Sequence, residues 1–394
     1  MELATKQGFK QTEVGLIPED WLVISLSEAV EFLDGKRRPI KANERVSGNY
    51  PYYGASGIID YVNDYIFDDE LILLGEDGEN ILSRNLPLAF IIKGKAWVNN
   101  HAHVMKPNKF FNINFLTEYL ESLDYSLLNS GTAQPKLNKK SCLNIRVIAP
   151  PIKEQKAIAT ALSDMDDLIA SLESLIAKKQ AIKQGAMQQL LTPPHKGGKR
   201  LPGFSGDWVE KNLGEVGDVQ MCKRIFSYQT SKTGDIPFYK IGTFGKEPDA
   251  FIDWDLYQEF RKKYSFPKKG YLLISASGTI GRTVEYQGED AYYQDSNIIW
   301  IDNDEKLITN KYLGYTLKII KYNTEGSTIK RLYNSIIKSS TFALPPTLDE
   351  QKAIAKILSD MDTELEQLET KKAKYQQLKQ GMLQELLTGN TRLV

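Results

Sequence analysis

Apolar residues recur with heptad spacing in two stretches of the chain. Gaps of four and three residues alternate in the first, at Ile158, Leu162, Met165, Ile169, Leu172 and Ile176. The second repeats the spacing at Ile354, Leu358, Met361, Leu365 and Leu368, and Tyr375 continues it. This alternation places the apolar side chains on one helical face, as in a coiled coil. It predicts two long helices, and each follows a proline pair that suits a helix start.

The two helical stretches belong to an internal repeat. Residues 154–192 align without gaps on residues 350–388, and 23 of the 39 aligned positions are identical. A weaker match of Asp20-Trp21 with Asp207-Trp208 extends the repeat upstream. Such self-similarity indicates two copies of one structural unit. We predict four segments: a first module at 1–150, a helix at 151–192, a linker with a second module at 193–345, and a helix at 346–394.

Charged residues follow the same order along both helical stretches. Acidic residues come first, from Asp164 and Asp360, and lysines follow, from Lys178 and Lys371. This order favours each helix dipole, and it lets two antiparallel copies place acidic halves against basic halves. We therefore predict an antiparallel helix pair with a pseudo-twofold axis. An alternative interpretation is that the helices only dimerise or hold two domains apart.

Both modules have the pattern of a mixed α/β fold. Short runs rich in branched apolar residues predict strands at Leu71–Leu74, Ala89–Ile92, Leu272–Ser275 and Ile298–Ile301. Helical periodicity predicts helices at Phe115–Leu123 and Lys311–Ile320. Glycine-containing turn signals, such as Asp77-Gly78 and Ser277-Gly278, lie between these runs. The predicted fold class is α/β, with two globular modules joined by the two long helices.

Composition narrows the class of protein. Fifty basic and fifty acidic residues give a formal net charge of zero, which argues against a nonspecific nucleic-acid coat. Two cysteines exclude a disulfide framework and fit a reducing cytoplasm. No apolar run is long enough to span a membrane, and the first ten residues have no apolar leader segment, so we expect a cytoplasmic protein.

Basic and aromatic residues interleave at matching places in the two modules. Arginine and lysine contact phosphates and guanine edges, whereas asparagine and glutamine pair with adenine. We therefore predict DNA contacts by Lys36, Arg37, Arg38, Tyr52 and Tyr53 in the first module, and by Lys223, Arg224, Tyr239 and Lys240 in the second. A solvated surface is the alternative for any single cluster. Residues 1–153 carry 17 basic and 19 acidic residues, so the acidic ones must face away from DNA.

Motifs for catalysis are missing from the sequence. It has no phosphate-binding G-x-x-x-x-G-K-[ST] loop and no G-x-S-x-G nucleophile turn. His101 and His103 would share a strand face and could bind a metal, but no third ligand is evident. A structural or DNA-facing histidine pair is the alternative that we favour. We expect neither a catalytic residue nor a metal or other cofactor on this chain.

The motifs together resemble the specificity subunits of type I restriction–modification systems. The resemblance covers nearly the whole chain and is carried by the Pro-Pro…Glu-Gln helix starts, the Leu-Leu-Thr helix ends, and Leu201-Pro202-Gly203-Phe204. Further motifs are Tyr50–Gly57, Leu73–Gly78, Asn99–His103 and Gly131–Pro135. The second module departs from the first, because Ser275-Ala276-Ser277-Gly278 replaces the Glu-Asp-Gly run and Ser296-Asn297 replaces Asn-His. This difference is expected if the two modules recognise different half-sites.

The resemblance implies that each module recognises one half of a split DNA site. A helix of the predicted length is roughly 58 Å long, against about 34–36 Å for one turn of DNA. The resemblance adds these expected DNA contacts: Asn99, Asn100, His101, Gln134, Lys136, Ser277, Thr279, Arg282, Ser296, Asn297, Lys330 and Arg331.

The resemblance also implies protein partners. The helices would dock two methyltransferase subunits through Gln155, Ile158, Leu162, Gln351, Ile354 and Leu358. S-adenosylmethionine and Mg-ATP would bind to partner subunits, and it stays open whether two translocase–nuclease subunits join. A protein-bridging adaptor without DNA dependence and a stand-alone enzyme are the competing hypotheses.

Overall fold

A computed structural model describes residues 7–131, 134–278, 280–295, 297–320, 322 and 332–393. The chain forms two compact units. Unit 1 comprises Met1–Glu173 and Thr370–Val394, and unit 2 comprises Ser174–Glu369. Each long helix therefore contributes one part to each unit.

Unit 1 is built on a six-stranded sheet with strand order β4-β9-β7-β8-β5-β6, in which β5 and β8 are parallel and the other neighbours antiparallel. Its strands are β1 (Phe9–Thr12), β2 (Gly15–Pro18), β3 (Leu22–Ser25), β4 (Val30–Phe32), β5 (Ser47–Gly54), β6 (Gly57–Val62), β7 (Phe67–Gly75), β8 (Ala89–Val98), β9 (Ala102–Pro107) and β10 (Arg146–Ala149). Its helices are α1 (Leu26–Ala29), α2 (Asn80–Ser83), α3 (Ile113–Ser122), α4 (Lys139–Leu143) and the first part of α5 (Ile152–Leu190).

Strand β7 shows why the predicted strand Leu71–Leu74 is an unbroken apolar run in the sequence. Ile72 and Leu74 pack into one apolar cluster, with α3 and α5, while Leu71 and Leu73 pack into a second cluster on the other sheet face. Because both faces of the strand are covered, its central residues are apolar without interruption. The sheet is the layer between two cores.

Unit 2 contains a four-stranded sheet of order β12-β18-β15-β16 and a three-stranded sheet of order β14-β13-β17. Its strands are β11 (Val209–Asn212), β12 (Asp218–Met221), β13 (Ile236–Tyr239), β14 (Phe251–Ile252), β15 (Leu272–Ser275), β16 (Thr283–Glu285), β17 (Tyr292–Tyr293), β18 (Ile298–Asp302) and β19 (Thr341–Leu344). Its helices are α6 (Trp254–Lys263), α7 (Asn310–Ile319), α8 (Asn334–Ser339) and the first part of α9 (Leu348–Leu387). The strands and helices predicted in both modules are confirmed.

The two long helices run antiparallel within each unit. In unit 1, Asp166 of α5 pairs with Lys379 of α9 at 2.7 Å, and Glu154, earlier in α5, pairs with Arg392 beyond the end of α9. In unit 2, Lys183 of α5 pairs with Asp362 of α9, the residues equivalent to Lys379 and Asp166 in the repeat. Acidic and basic halves therefore meet as predicted. The mixed α/β fold, the internal repeat and the antiparallel helices are confirmed.

The first turn of each long helix contains a glutamate, Glu154 or Glu350, whose side chain is buried. The indole N–H of Trp21 donates to the Glu154 carboxylate with 2.9 Å between Nε1 and Oε2, and Arg392 forms an ion pair with the same carboxylate. In unit 2, Trp208 and Arg200 contact Glu350 in the same way, at 3.1 and 2.8 Å. The repeat thus preserves an arginine–glutamate–tryptophan cluster that fixes each helix start to its module.

The prediction that six residues of the long helices dock a methyltransferase is corrected by their burial. Gln155, Ile158, Leu162, Gln351, Ile354 and Leu358 are at most 1% exposed. The four apolar side chains lie in the cores of their own units, and Gln155 donates to Phe110 and Pro150 carbonyls and accepts from the Asn112 N–H. Their heptad spacing reflects packing against the modules, so any docking surface must lie on other residues of the helices.

Candidate nucleic-acid interface

Three loops of unit 1 meet at one end of the six-stranded sheet. They follow β7 (76–79), connect β8 to β9 (99–101), and comprise 129–131 with 134–137; we call them loop cluster 1. The Glu76 N–H donates to the His101 carbonyl at 2.8 Å, and the Leu137 N–H donates to the Glu76 carbonyl at 2.7 Å. The Gly78 N–H donates to the Pro135 carbonyl at 3.0 Å. Three motifs far apart in sequence are therefore joined by backbone hydrogen bonds.

A charged network supports loop cluster 1 from beneath. Arg37 pairs with Glu76 at 2.6 Å and donates to the Ala102 carbonyl at 2.7 Å. His103 places Nδ1 2.8 Å from Asp34 and Nε2 2.9 Å from the Leu137 carbonyl. Because a carboxylate and a carbonyl only accept, both ring nitrogens must donate, and the imidazole is held protonated. The network anchors the loops that the sequence assigned to DNA contact.

The buried imidazole has a strongly shifted pKa. Burial lowers the pKa of His103, but hydrogen bonds and the charge of Asp34 outweigh burial and raise it to about 10. A histidine whose pKa is higher in the folded than in the unfolded chain stabilises the fold fully below the unfolded value of about 6.5. That contribution is lost as the pH rises through the folded value.

We predict that unit 1 becomes less stable between pH 7 and pH 10 in a manner that depends on His103. Melting temperatures of the wild-type chain and of His103→Gln, measured across this range, should converge as the pH rises, because glutamine has no proton to lose. Every other titratable group is shared by both proteins, so its effect cancels in the comparison. Parallel melting curves with a constant offset would contradict the prediction.

Unit 2 has a loop cluster with the same backbone frame. The Ala276 N–H donates to the Asn297 carbonyl, and the Leu332 N–H donates to the Ala276 carbonyl, both at 2.8 Å. These bonds match those that link Glu76 with His101 and Leu137. A further match joins the strand end to the next loop: Gln294 N–H to Tyr239 carbonyl at 2.9 Å, and Asn99 N–H to Tyr53 carbonyl at 3.1 Å. We call residues 276–278, 294–295, 297 and 332 loop cluster 2.

One sequence difference between the two loop clusters, Glu76 against Ala276, changes the environment of the neighbouring arginine. Arg37 is paired with Glu76, and its side chain is 14% exposed. Alanine at 276 occupies the equivalent position in unit 2, where Arg224 is 59% exposed and pairs with Asp295 at 2.8 Å. Arg224 is therefore available for a phosphate or base contact, whereas Arg37 is held against its unit by the largely buried Glu76 carboxylate, which is 12% exposed.

Three of the predicted DNA contacts are corrected by burial. Arg37 is held by Glu76, and Tyr52 is buried with its hydroxyl near Ile40. Asn99 is buried, and its side chain accepts the His101 N–H at 2.8 Å. Tyr52 and Asn99 are buried and Arg37 is held by its ion pair, so these three side chains position loops instead of contacting DNA.

The other predicted DNA contacts stay predictions, and the structure gives the solvent exposure of their side chains. Exposed ones are Lys36, Arg38, Asn100, His101, Gln134, Lys136, Lys223 and Arg224, and half-buried ones are Tyr53, Tyr239, Lys240, Ser277, Arg282 and Asn297. Thr279, Ser296, Lys330 and Arg331 lie outside the described residues.

Sequence reasoning missed two residues at these surfaces. Phe226 is exposed and stacks on Tyr228, with ring centroids 5.7 Å apart, two residues beyond Arg224. Asp77 lies 2.9 Å from the Nδ1 atom of His101. An aromatic residue close to a Lys-Arg pair was the available signal for Phe226. Asp77 lies in the motif Leu73–Gly78, but its charge led to the expectation that it faces away from DNA, and its partner His101 is 24 residues away.

Two candidate chemistries receive no support from the described part of the chain. No group of three or more His, Cys, Asp or Glu residues there could hold a metal ion. His101 and His103 have separate carboxylate partners, Asp77 and Asp34. Within the same ranges, no helix is long and apolar enough to cross a membrane.

Comparison with known proteins gives consistent matches over both repeats. The sequence model of the type I restriction modification DNA specificity domain matches residues 18–184 and 205–380. A Haemophilus influenzae protein named a type I restriction enzyme specificity subunit is 43% identical over 343 residues, which is 86% of each chain. The MjaVIII specificity subunit of Methanocaldococcus jannaschii is 28% identical, over 100% of this chain and 98% of its own.

Solved structures share the fold. The type I restriction–modification S subunit from M. genitalium matches with a TM-score of 0.62 at 15% identity, over 93% of this chain and 96% of that one. A chain from a study of type I assembly and conformational transition matches with a TM-score of 0.57 at 17% identity, over 95% and 99%. At these identities the likeness concerns the fold.

Proposed function

We propose that this chain recognises a split DNA sequence with one target-recognition domain per half-site, because it belongs to the type I restriction–modification DNA specificity family. The observation that carries the proposal is the repeated loop frame. Two clusters have matching backbone hydrogen bonds, yet they carry different side chains. A scaffold that presents two different surfaces from one frame suits a target whose two halves differ in sequence.

The charged residues of the loop clusters support contact with DNA. The side chains of Lys136 in loop cluster 1 and Arg224 beside loop cluster 2 are 49% and 59% exposed, and each has an acidic neighbour, Glu76 or Asp295. Such cations position a protein on the phosphate backbone, whereas neighbouring polar groups distinguish base edges. We infer salt-dependent affinity with specificity supplied by the loops.

We further propose that the long helices dock two methyltransferase subunits on their exposed faces. In this arrangement the partners bind S-adenosylmethionine and, where restriction subunits are also present, Mg-ATP. This chain then supplies sequence recognition and no catalytic group. Leu175 and Ile182, exposed seven residues apart along α5 in unit 2, support a helical docking surface.

Exchange of one module tests the split-site proposal. We replace residues 1–150 with the corresponding module of a homologous specificity subunit, and we sequence the methylome of a host that carries the operon. The expected result is a new methylated sequence in which one half is changed and the other half is retained, because each module contacts only its own half-site.

The reciprocal exchange of residues 193–345 is the matched control and should change the other half. Methylation of an unchanged sequence by both chimeras would overturn the proposal. Purified complex that binds all duplexes equally would favour the adaptor hypothesis instead.

A further inference from the structure

One side-chain pair occupies equivalent positions in the two loop clusters. In unit 1, the Nδ1 atom of His101 lies 2.9 Å from both carboxylate oxygens of Asp77. In unit 2, the Ser277 hydroxyl donates to the Asn297 side-chain oxygen at 2.8 Å. The repeated backbone bonds make the positions equivalent, because Asp77 follows Glu76 as Ser277 follows Ala276, and His101 and Asn297 supply the matching carbonyls.

The contrast between the pairs lies in their chemistry. The backbone frame is kept, as are leucines at 137 and 332, but the paired side chains change from carboxylate and imidazole to hydroxyl and amide. A pair with a structural role alone would be expected to keep one chemistry on an unchanged frame. All four side chains are at least partly accessible to solvent.

The two pairs differ in the hydrogen-bond donors and acceptors that they leave available to a ligand. A carboxylate only accepts, and a neutral imidazole that donates Nδ1–H to Asp77 has its other nitrogen, Nε2, as an acceptor. The unit 1 pair therefore offers acceptors. In unit 2, the Asn297 oxygen accepts from Ser277, which leaves the amide nitrogen as a donor of two hydrogens.

We propose that the pairs Asp77–His101 and Ser277–Asn297 are equivalent specificity determinants that contact base edges in the major groove. The acceptors of unit 1 select a base with an exposed amino group, cytosine or adenine, because its N–H donates. The amide donor of unit 2 selects an acceptor edge such as N7 of a purine, and the second lone pair of the Asn297 oxygen can also accept from N6 of adenine. This inference rests on the proposed function of the two modules.

Reciprocal exchange of the pairs tests the inference in the full chain. Asp77→Ser with His101→Asn gives unit 1 the pair of unit 2, and Ser277→Asp with Asn297→His does the reverse. Each variant is co-expressed with the methyltransferase subunit, and the complex selects from randomised duplexes at pH 8. We expect a change of roughly tenfold to hundredfold in base preference at one position of the mutated half-site, with the other half unchanged.

A matched control separates base selection from general effects of charge. Asp68→Ser also removes an exposed carboxylate from unit 1, but Asp68 lies at the opposite end of β7 from Asp77, about 30 Å away at 3.3 Å per residue. It should leave every base preference unchanged. Thermal melting of each variant confirms that the units remain folded.

Two results would overturn the inference while the split-site function stands. One is a pair of exchanged variants that keep the wild-type preference at every position. The other is a uniform loss of affinity for all duplexes, which is what a purely structural pair predicts. Failure of the proposed function looks different, because the wild-type complex itself would then select no split sequence.

Discussion

Replacing Arg392 with alanine is expected to destabilise unit 1 by about 3 kcal/mol, the low end of the cost of removing one partner from a buried ion pair, because Arg392 itself is 31% exposed. The Arg392 guanidinium contacts both oxygens of Glu154 and both oxygens of Asp20. Glu154 is 0% exposed, so the variant leaves a buried carboxylate with the Trp21 indole as its remaining hydrogen-bond donor. Hydrogen exchange, resolved by peptide, should show lost protection in residues 7–131 and at the start of α5.

The chain offers two controls for this prediction. Lys356→Ala breaks the exposed pair with Asp360 one helical turn away, and it should cost less than about 0.5 kcal/mol. Arg392→Ala combined with Glu154→Gln should recover part of the loss, because a neutral amide needs less compensation than a buried charge. Equal protection in Arg392→Ala and the wild type would show that the cluster contributes nothing to the docking of helix α5.

Introducing glutamates at Leu175 and Ile182 is expected to abolish binding of the proposed methyltransferase partners. Leu175 and Ile182 are 38% and 48% exposed, seven residues apart on α5. Burial of the part of these two side chains that is still exposed would contribute roughly 2 kcal/mol, or about thirtyfold in affinity, and burying two unpaired carboxylates in their place would cost several kcal/mol more. The double variant should therefore elute alone in gel filtration with the methyltransferase subunit at micromolar concentration.

The double variant must remain folded for this result to be informative. Its far-ultraviolet circular dichroism and melting temperature should match the wild type, because both side chains are already in contact with solvent. Ser174→Glu with Gln180→Glu adds the same charge at exposed positions on other faces of the helix and should preserve the complex. Unchanged binding by Leu175→Glu/Ile182→Glu would place the docking surface elsewhere.

Two arginines in nearly the same local sequence, Arg37 and Arg224, differ in ion pairing and solvent exposure between the two units. Lys36-Arg37 and Lys223-Arg224 look alike, and both arginines were predicted to contact DNA. Glu76 lies 39 residues from Arg37 and holds it, while alanine at the equivalent position leaves Arg224 exposed. The outcome depends on a distant residue, so local pattern could not distinguish the two.

The sequence by itself determined the long helices, their antiparallel order, the repeat and the main strands. Periodicity, charge order and self-similarity are local or linear properties, and each has a direct structural consequence. Only the tertiary structure decided which apolar positions of the helices face a module and which face solvent, and which loops meet. A heptad pattern specifies that one face is covered but not what covers it, and hydrogen bonds between loops 24 to 61 residues apart leave no periodic trace.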